Sequence, residues 1–135
     1  MSVRILALHG PNLDRLGKRE PEVYGHQTLA DIEQRLEHLA SSLGVQLESR
    51  QSNHEGQLID WIGAADDEGF AAVMINPGAY THTSWAIFDS IKGAGIPVVE
   101  VHLSNPAARE AFRHRSCVAP ACLGTVAGFG ARSCL

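Results

Sequence analysis

The sequence predicts one α/β domain, a three-layer sandwich built on a five-stranded parallel sheet. Three observations lead there. Apolar runs at residues 3–8, 70–75 and 97–103 have the pattern of strands buried on both faces. Amphipathic stretches with helical spacing alternate with them, and strand–helix alternation means parallel strands joined by right-handed crossovers. At 135 residues the chain fits a single domain, 1–135, with enough length for a core of its own.

Taken in order, the first strand, residues 3–8, stops at His9-Gly10-Pro11. A polar loop then runs to Gln27, longer than ordinary α/β connections, and the stretch 17–27 reads as a lid over a site. Thr28 and Asp31 form an N-terminal capping pattern, and Leu29, Ile32, Leu36, Leu39 and Leu43 mark one apolar stripe that Gly44 ends. Residues 45–51 alternate as a second strand near an edge. Ser52-Asn53-His54-Glu55 has a capping-box pattern opening a helix through Leu58, Ile59, Ile62 and Ala65, with Gly69 at its end. The third strand leads into Asn76-Pro77-Gly78-Ala79-Tyr80-Thr81-His82-Thr83-Ser84, followed by a helix carrying Trp85, Ile87, Phe88 and Ile91. Strand four spans 97–103. Asn105-Pro106 then caps a short helix to about Arg113, and 123–127 make a weaker fifth strand. Five such strands suggest a flavodoxin-like sheet of order 2-1-3-4-5, whose switch point sets the loops after strands one and three face to face.

Composition excludes several function classes. A net charge of -4 without a basic stripe argues against nucleic-acid binding, and the densest cationic cluster is Arg109, Arg113, His114 and Arg115. Residues 1–8 are too short for a leader or a span, so the expectation is a cytoplasmic protein with no membrane contact. Cys117, Cys122 and Cys134 are odd in number and lack C-x-x-C spacing, which reads as free thiols rather than a disulfide framework or zinc site. No P-loop, G-x-G-x-x-G or H-E-x-x-H is present, and Asn76 stands where a phospho-acceptor would want aspartates.

The chemistry is concentrated in two pairs. Glu100 and His102 are polar residues in a strand that should be apolar, and at i, i+2 they share a side. A buried carboxylate needs a partner, and an imidazolium beside it suits a general acid. Arg19 and Tyr24 form the second pair. A phenol ordinarily ionises near a pKa of about 10, and a close guanidinium favours the phenolate that a base requires. Lys18 and Lys92, one in the polar loop and one at a helix end, lack the apolar pocket of a Schiff-base lysine.

Gly10-Pro11-Asn12, Gly17-Lys18-Arg19-Glu20-Pro21-Glu22-Val23-Tyr24-Gly25, Gln51-Ser52-Asn53-His54-Glu55-Gly56, the 76–84 loop and Glu100-Val101-His102-Leu103-Ser104-Asn105 together resemble the type II 3-dehydroquinate dehydratases. The resemblance runs from strand one to about Gly130. It implies conversion of 3-dehydroquinate to 3-dehydroshikimate and water by anti elimination through an enolate, with no imine, metal or cofactor. Tyr24 is implied as the base, Arg19 as its activator and transition-state stabiliser, His102 as the proton donor, and Asn12 as holding the enolate through a water. Glu100 is the partner of His102. Asn76, His82, Leu103, Ser104 and Arg113 are implied to bind substrate, with Asp89 reaching in from a neighbouring subunit of a dodecamer made of four trimers, and Gly78, which with Pro77 fixes a tight turn, lets the substrate ring approach the backbone. The chain departs from the family pattern at Asp14, Phe88 and Leu103 and ends at Leu135, which implies a shortened C-terminal helix. The other reading of the same loops is a non-catalytic, flavodoxin-like module that binds a small ligand.

Overall fold

The computed structural model describes residues 3–18, 22 and 26–135. Five parallel strands, β1 (Arg4–His9), β2 (Gln46–Gln51), β3 (Ala72–Asn76), β4 (Val98–His102) and β5 (Gly124–Ala127), form one sheet in the order β2-β1-β3-β4-β5. This is the expected order, and the strand ends lie within two residues of those read from the sequence. Among the described residues three helices cover the sheet: α1 (Leu29–Leu43), α2 (Glu55–Ala64) and α3 (Trp85–Lys92).

The α1 terminus forms as its sequence dictates. Thr28 Oγ1 accepts from the Asp31 amide at 3.1 Å while Asp31 Oδ2 accepts from the Thr28 amide at 3.0 Å, and Gly44 closes the helix at φ 71°. Its stripe is narrower than expected. Ile32 and Leu36 are buried, but Leu43 is exposed because the last turn lies at the lip of an open apolar groove.

Two local expectations, the Ser52 cap and the helix after Asn105, fail for physical reasons. Ser52 does not cap α2; its Oγ accepts from His54 N, and Glu55 instead takes a hydrogen bond from Ser84 at the start of the adjacent α3. In α3, Trp85 faces solvent while Ile87 and Ile91 are buried, since two residues at 100° per residue fall on opposite sides of a helix. After Asn105 the chain makes two three-residue 3-10 turns, Pro106–Ala108 and Ala111–Arg113, rather than a helix. Asn105 does cap the first, accepting from Ala107 N at 3.2 Å.

The two faces of the sheet are filled differently. Toward α2 and α3, Leu6, Leu8, Val73, Ile75 and Val98 meet Leu58, Ile62, Ile87 and Ile91 in a closed core. Toward α1, Leu13, Leu16, Ile32, Leu36, Val101 and Leu103 form a second cluster at the carboxyl end of the sheet. Beside it lies an apolar groove of about 380 Å³ between α1, the sheet and the last residues. The edge strand β2 carries Arg50, paired with Glu48 at 2.5 Å and with Glu68 at 3.4 Å, so its open edge is charged.

Candidate active site

The loops after β1 and β3 are locked together at the switch point. Gly10 N donates to Asn76 O at 2.7 Å, and a Cβ on Gly10 would stand 2.7 Å from the Pro77 carbonyl, so no larger residue fits this crossing. Gly78 answers from the other side. It takes φ 60°, and a Cβ there would meet Pro11 at 3.2 Å. Its freedom therefore serves the packing of the two loops against each other. Asn12 adopts the left-handed region at φ 66°, a conformation asparagine tolerates better than most residues.

The end of β2 buttresses both loops. Asn53 Oδ1 accepts from Asn12 N at 2.9 Å and from Gln51 Nε2 at 3.2 Å, while the Asn53 carbonyl accepts from Tyr80 OH at 2.8 Å. That gives the 51–56 block a positioning duty. Within the third loop, Asn76 Oδ1 accepts from Gly78 N at 3.1 Å, which turns the amide nitrogen of this buried side chain toward other partners. Ser84 caps α3 by accepting from Ile87 N at 2.9 Å.

A cleft opens where these loops meet the end of β4. Asn12, Asn76, Gly78, His82, His102, Leu103, Ser104 and Arg113 line it, so eight of the residues named from the sequence are brought together. Glu100 stands one layer behind, 2 % exposed, with Oε2 2.5 Å from His102 Nε2. Facing an acceptor-only carboxylate, that nitrogen carries the proton, and Nδ1 is left as the exchanging position. His82 Nδ1 donates to the Arg115 carbonyl at 2.8 Å, which leaves Nε2 as its second site. Arg113 is held by the exposed Glu110, and that hydrogen bond keeps the Glu110 carboxyl below the usual carboxylate range.

Asp89 is not in this cleft. It sits on the outer side of α3, beside Ala86 and Ser90 in a shallow depression shared with α2. Arg19 and Tyr24 lie outside the described residues. Arg109 lines the cleft and reaches Ser104 Oγ at 3.5 Å, although sequence reading gave it no site role; its membership of the basic cluster after β4 was the available signal. The three cysteines are free, and burial pushes the thiols of Cys122 and Cys134 up to about 12 and about 11. Among the described residues no three His, Cys, Asp or Glu side chains cluster as a metal site requires, and no helix is long and apolar enough to cross a membrane.

This chain is similar to proteins of known kind along nearly its whole length. A 3-dehydroquinate dehydratase of Phenylobacterium zucineum is 57% identical over 133 residues, covering 98% of this chain and 91% of that one. A second, from Thermus thermophilus, is 54% identical over 126 residues, covering 93% and 85%. The crystal structure of a type II dehydroquinase from Butyrivibrio crossotus superposes with a TM-score of 0.95 at 41% identity, covering 97% of this chain and 91% of the other. The model of the dehydroquinase class II family matches residues 3–135, and the chain belongs to that family.

Proposed function

We propose that this protein is a 3-dehydroquinate dehydratase of type II, eliminating water from 3-dehydroquinate to give 3-dehydroshikimate. The observation that carries the reading is the buried Glu100–His102 pair in the wall of a cleft that also holds Asn76, His82, Ser104 and Arg113. Dehydrating a β-hydroxy ketone breaks a C–H bond α to the carbonyl and a C–O bond at the β carbon, and forms the C=C bond between them. One group must take the carbon-bound proton and another must give a proton to the departing oxygen.

His102 is the donor in this scheme, with Glu100 stabilising the imidazolium before transfer. Tyr24, activated by Arg19, is the base on the opposite face of the ring, which gives anti elimination. The enolate formed in between is held through a water by Asn12. Asn76, His82, Arg113 and the backbone amides of Leu103 and Ser104 bind the carboxylate and ring hydroxyls. The amides act without a helix dipole, because only a three-residue 3-10 turn follows them. Lys18 and Lys92 are both exposed, which supports an enolate rather than an imine.

The single domain 1–135 works as a homo-oligomer, a dodecamer of four trimers in the cytoplasm. Asp89 would then complete a neighbour's cleft, consistent with its place outside its own. Exposed Trp85 and Leu123 supply apolar surface for such contacts.

The test is direct. Adding 3-dehydroquinate to the purified protein should produce the absorbance of a conjugated enone. Folded protein giving no change overturns the proposal, and inactivation by borohydride with substrate present overturns the enolate route.

A further inference from the structure

Beyond Arg113 the chain runs back across the end of the sheet, and three consecutive residues there are tied to the 78–82 turn and to β4. The Arg115 carbonyl accepts from His82 Nδ1 at 2.8 Å. Cys117 N donates to the Thr81 carbonyl at 2.7 Å. Between them, Ser116 Oγ donates to Glu100 Oε1 at 2.9 Å, the carboxylate oxygen that His102 does not use.

Ser116 has one proton, and its direction is fixed. The Ala119 amide, which can only donate, reaches the same Oγ at 2.9 Å, so the hydroxyl proton is left for the carboxylate, which can only accept. The chain Ala119 N–H to Ser116 to Glu100 to His102 therefore runs in one sense.

We propose that Ser116 is a positioning residue for proton transfer at His102, acting through Glu100; this rests on His102 being the donor. The last torsion of a glutamate is broad, so one hydrogen bond at one oxygen does not fix the plane of the carboxylate. Bonds to both oxygens from different segments do. Without Ser116, Oε1 becomes a buried charged acceptor lacking a partner, a costly state that rotation of the carboxylate away from His102 relieves. The flanking bonds of Arg115 and Cys117 tie the same segment to the 78–82 turn. Ser116 thus sets the acid on β4 in register with the turn that carries His82.

A residue serving only to cap the 3-10 turn at Ala119–Ala121 would make the same bond to Ala119 N, and the experiment separates the two roles. Ser116→Ala and Ser116→Thr are made in the full chain and in a Glu100→Ala background, with folding checked by circular dichroism and kcat and KM measured on 3-dehydroquinate. Ser116→Ala should lower kcat by roughly 10- to 100-fold and leave KM within about threefold, the pattern of a misplaced reacting group. Ser116→Thr keeps the hydroxyl and should return kcat to within about threefold of the parent. In the Glu100→Ala background, Ser116→Ala should remove less than about twofold more, because the two act as one unit.

The same factor lost in both backgrounds, a loss confined to KM, or a folded Ser116→Thr as slow as the alanine variant overturns the proposal. Should Glu100→Ala not fold, the low-field proton resonance of the His102 imidazole decides: it moves or broadens in Ser116→Ala, and an unchanged resonance overturns the proposal. His102→Ala run alongside keeps the readings apart. Turnover surviving in that variant removes His102 as donor, whereas an inactive His102→Ala beside a normal Ser116→Ala removes only Ser116.

Discussion

Two histidines end the strands on either side of β3, and their surroundings are opposite. His9 is the last residue of β1 and His102 the last of β4; both are buried, at 3 % and 8 % exposure. By strand alternation His9 falls on the α1 side with Ile5 and Ala7, and His102 on the other side with Val98 and Glu100. His102 has a carboxylate at 2.5 Å. Among the described residues His9 Nε2 is buried with no hydrogen-bond partner, and desolvation pushes its pKa down to about 4. Burial alone makes an imidazole neutral and silent. A donor needs the buried anion as well, and the anion needs its own partners, which is why Ser116 belongs to the comparison.

The largest effect that could break this contrast is at His102. His102→Ala should lower kcat by roughly 10²- to 10⁴-fold, the range of a lost general acid, in an assay following enone absorbance. His9 should instead be read in stability. Its folded pKa lies below its unfolded one, so the unfolded chain binds more protons between those values. Stability is then full above about pH 6.5 and declines as pH falls to about 4, by about 3 kcal/mol from this residue. Urea titrations of His9→Leu across that window should give a correspondingly flatter slope than the parent, and equal slopes would contradict the assignment.

A smaller effect tests the anion. Glu100→Gln keeps shape and an acceptor but removes charge, and should cost roughly 10- to 100-fold in kcat, at least as much as Ser116→Ala, with KM little changed. The smallest concerns an orphan of the same kind as His9. Thr81 Oγ1 is buried without a partner among the described residues, so Thr81→Val should raise stability by up to about 1 kcal/mol, measured as a shift in the urea midpoint.

Much of this geometry was open to sequence reading because it breaks local rules. Glu100 and His102 stood out against an apolar strand, and the 76–84 loop followed a continuous apolar run. The Thr28–Asp31 cap was legible because both partners lie within one turn. What escaped depends on distant partners. Glu55 looked like a capping residue, yet Ser84, 29 positions on, holds its carboxylate. Ser116 sits in an irregular segment with no periodicity to betray it, 16 positions from Glu100. Arg109 appeared only as one cation in a cluster, and a cluster does not say which member turns toward the cleft. The helix expected after Asn105 stops short because the backbone leaves the helical region at Arg109, ψ -164°, and stays out of it at Glu110, ψ 149°.

The groove on the α1 face has a practical side at the bench. Ile5, Leu39, Leu43, Leu47, Met74 and Val99 line a slot of about 380 Å³ that reaches solvent while the protein is folded. Environment-sensitive dyes that brighten in hydrocarbon surroundings should settle there before any heat is applied. Dye-monitored melting would then begin from a bright baseline and understate the transition. Trp61, half-buried near the Arg50 guanidinium, offers an intrinsic fluorescence signal that does not depend on an added probe.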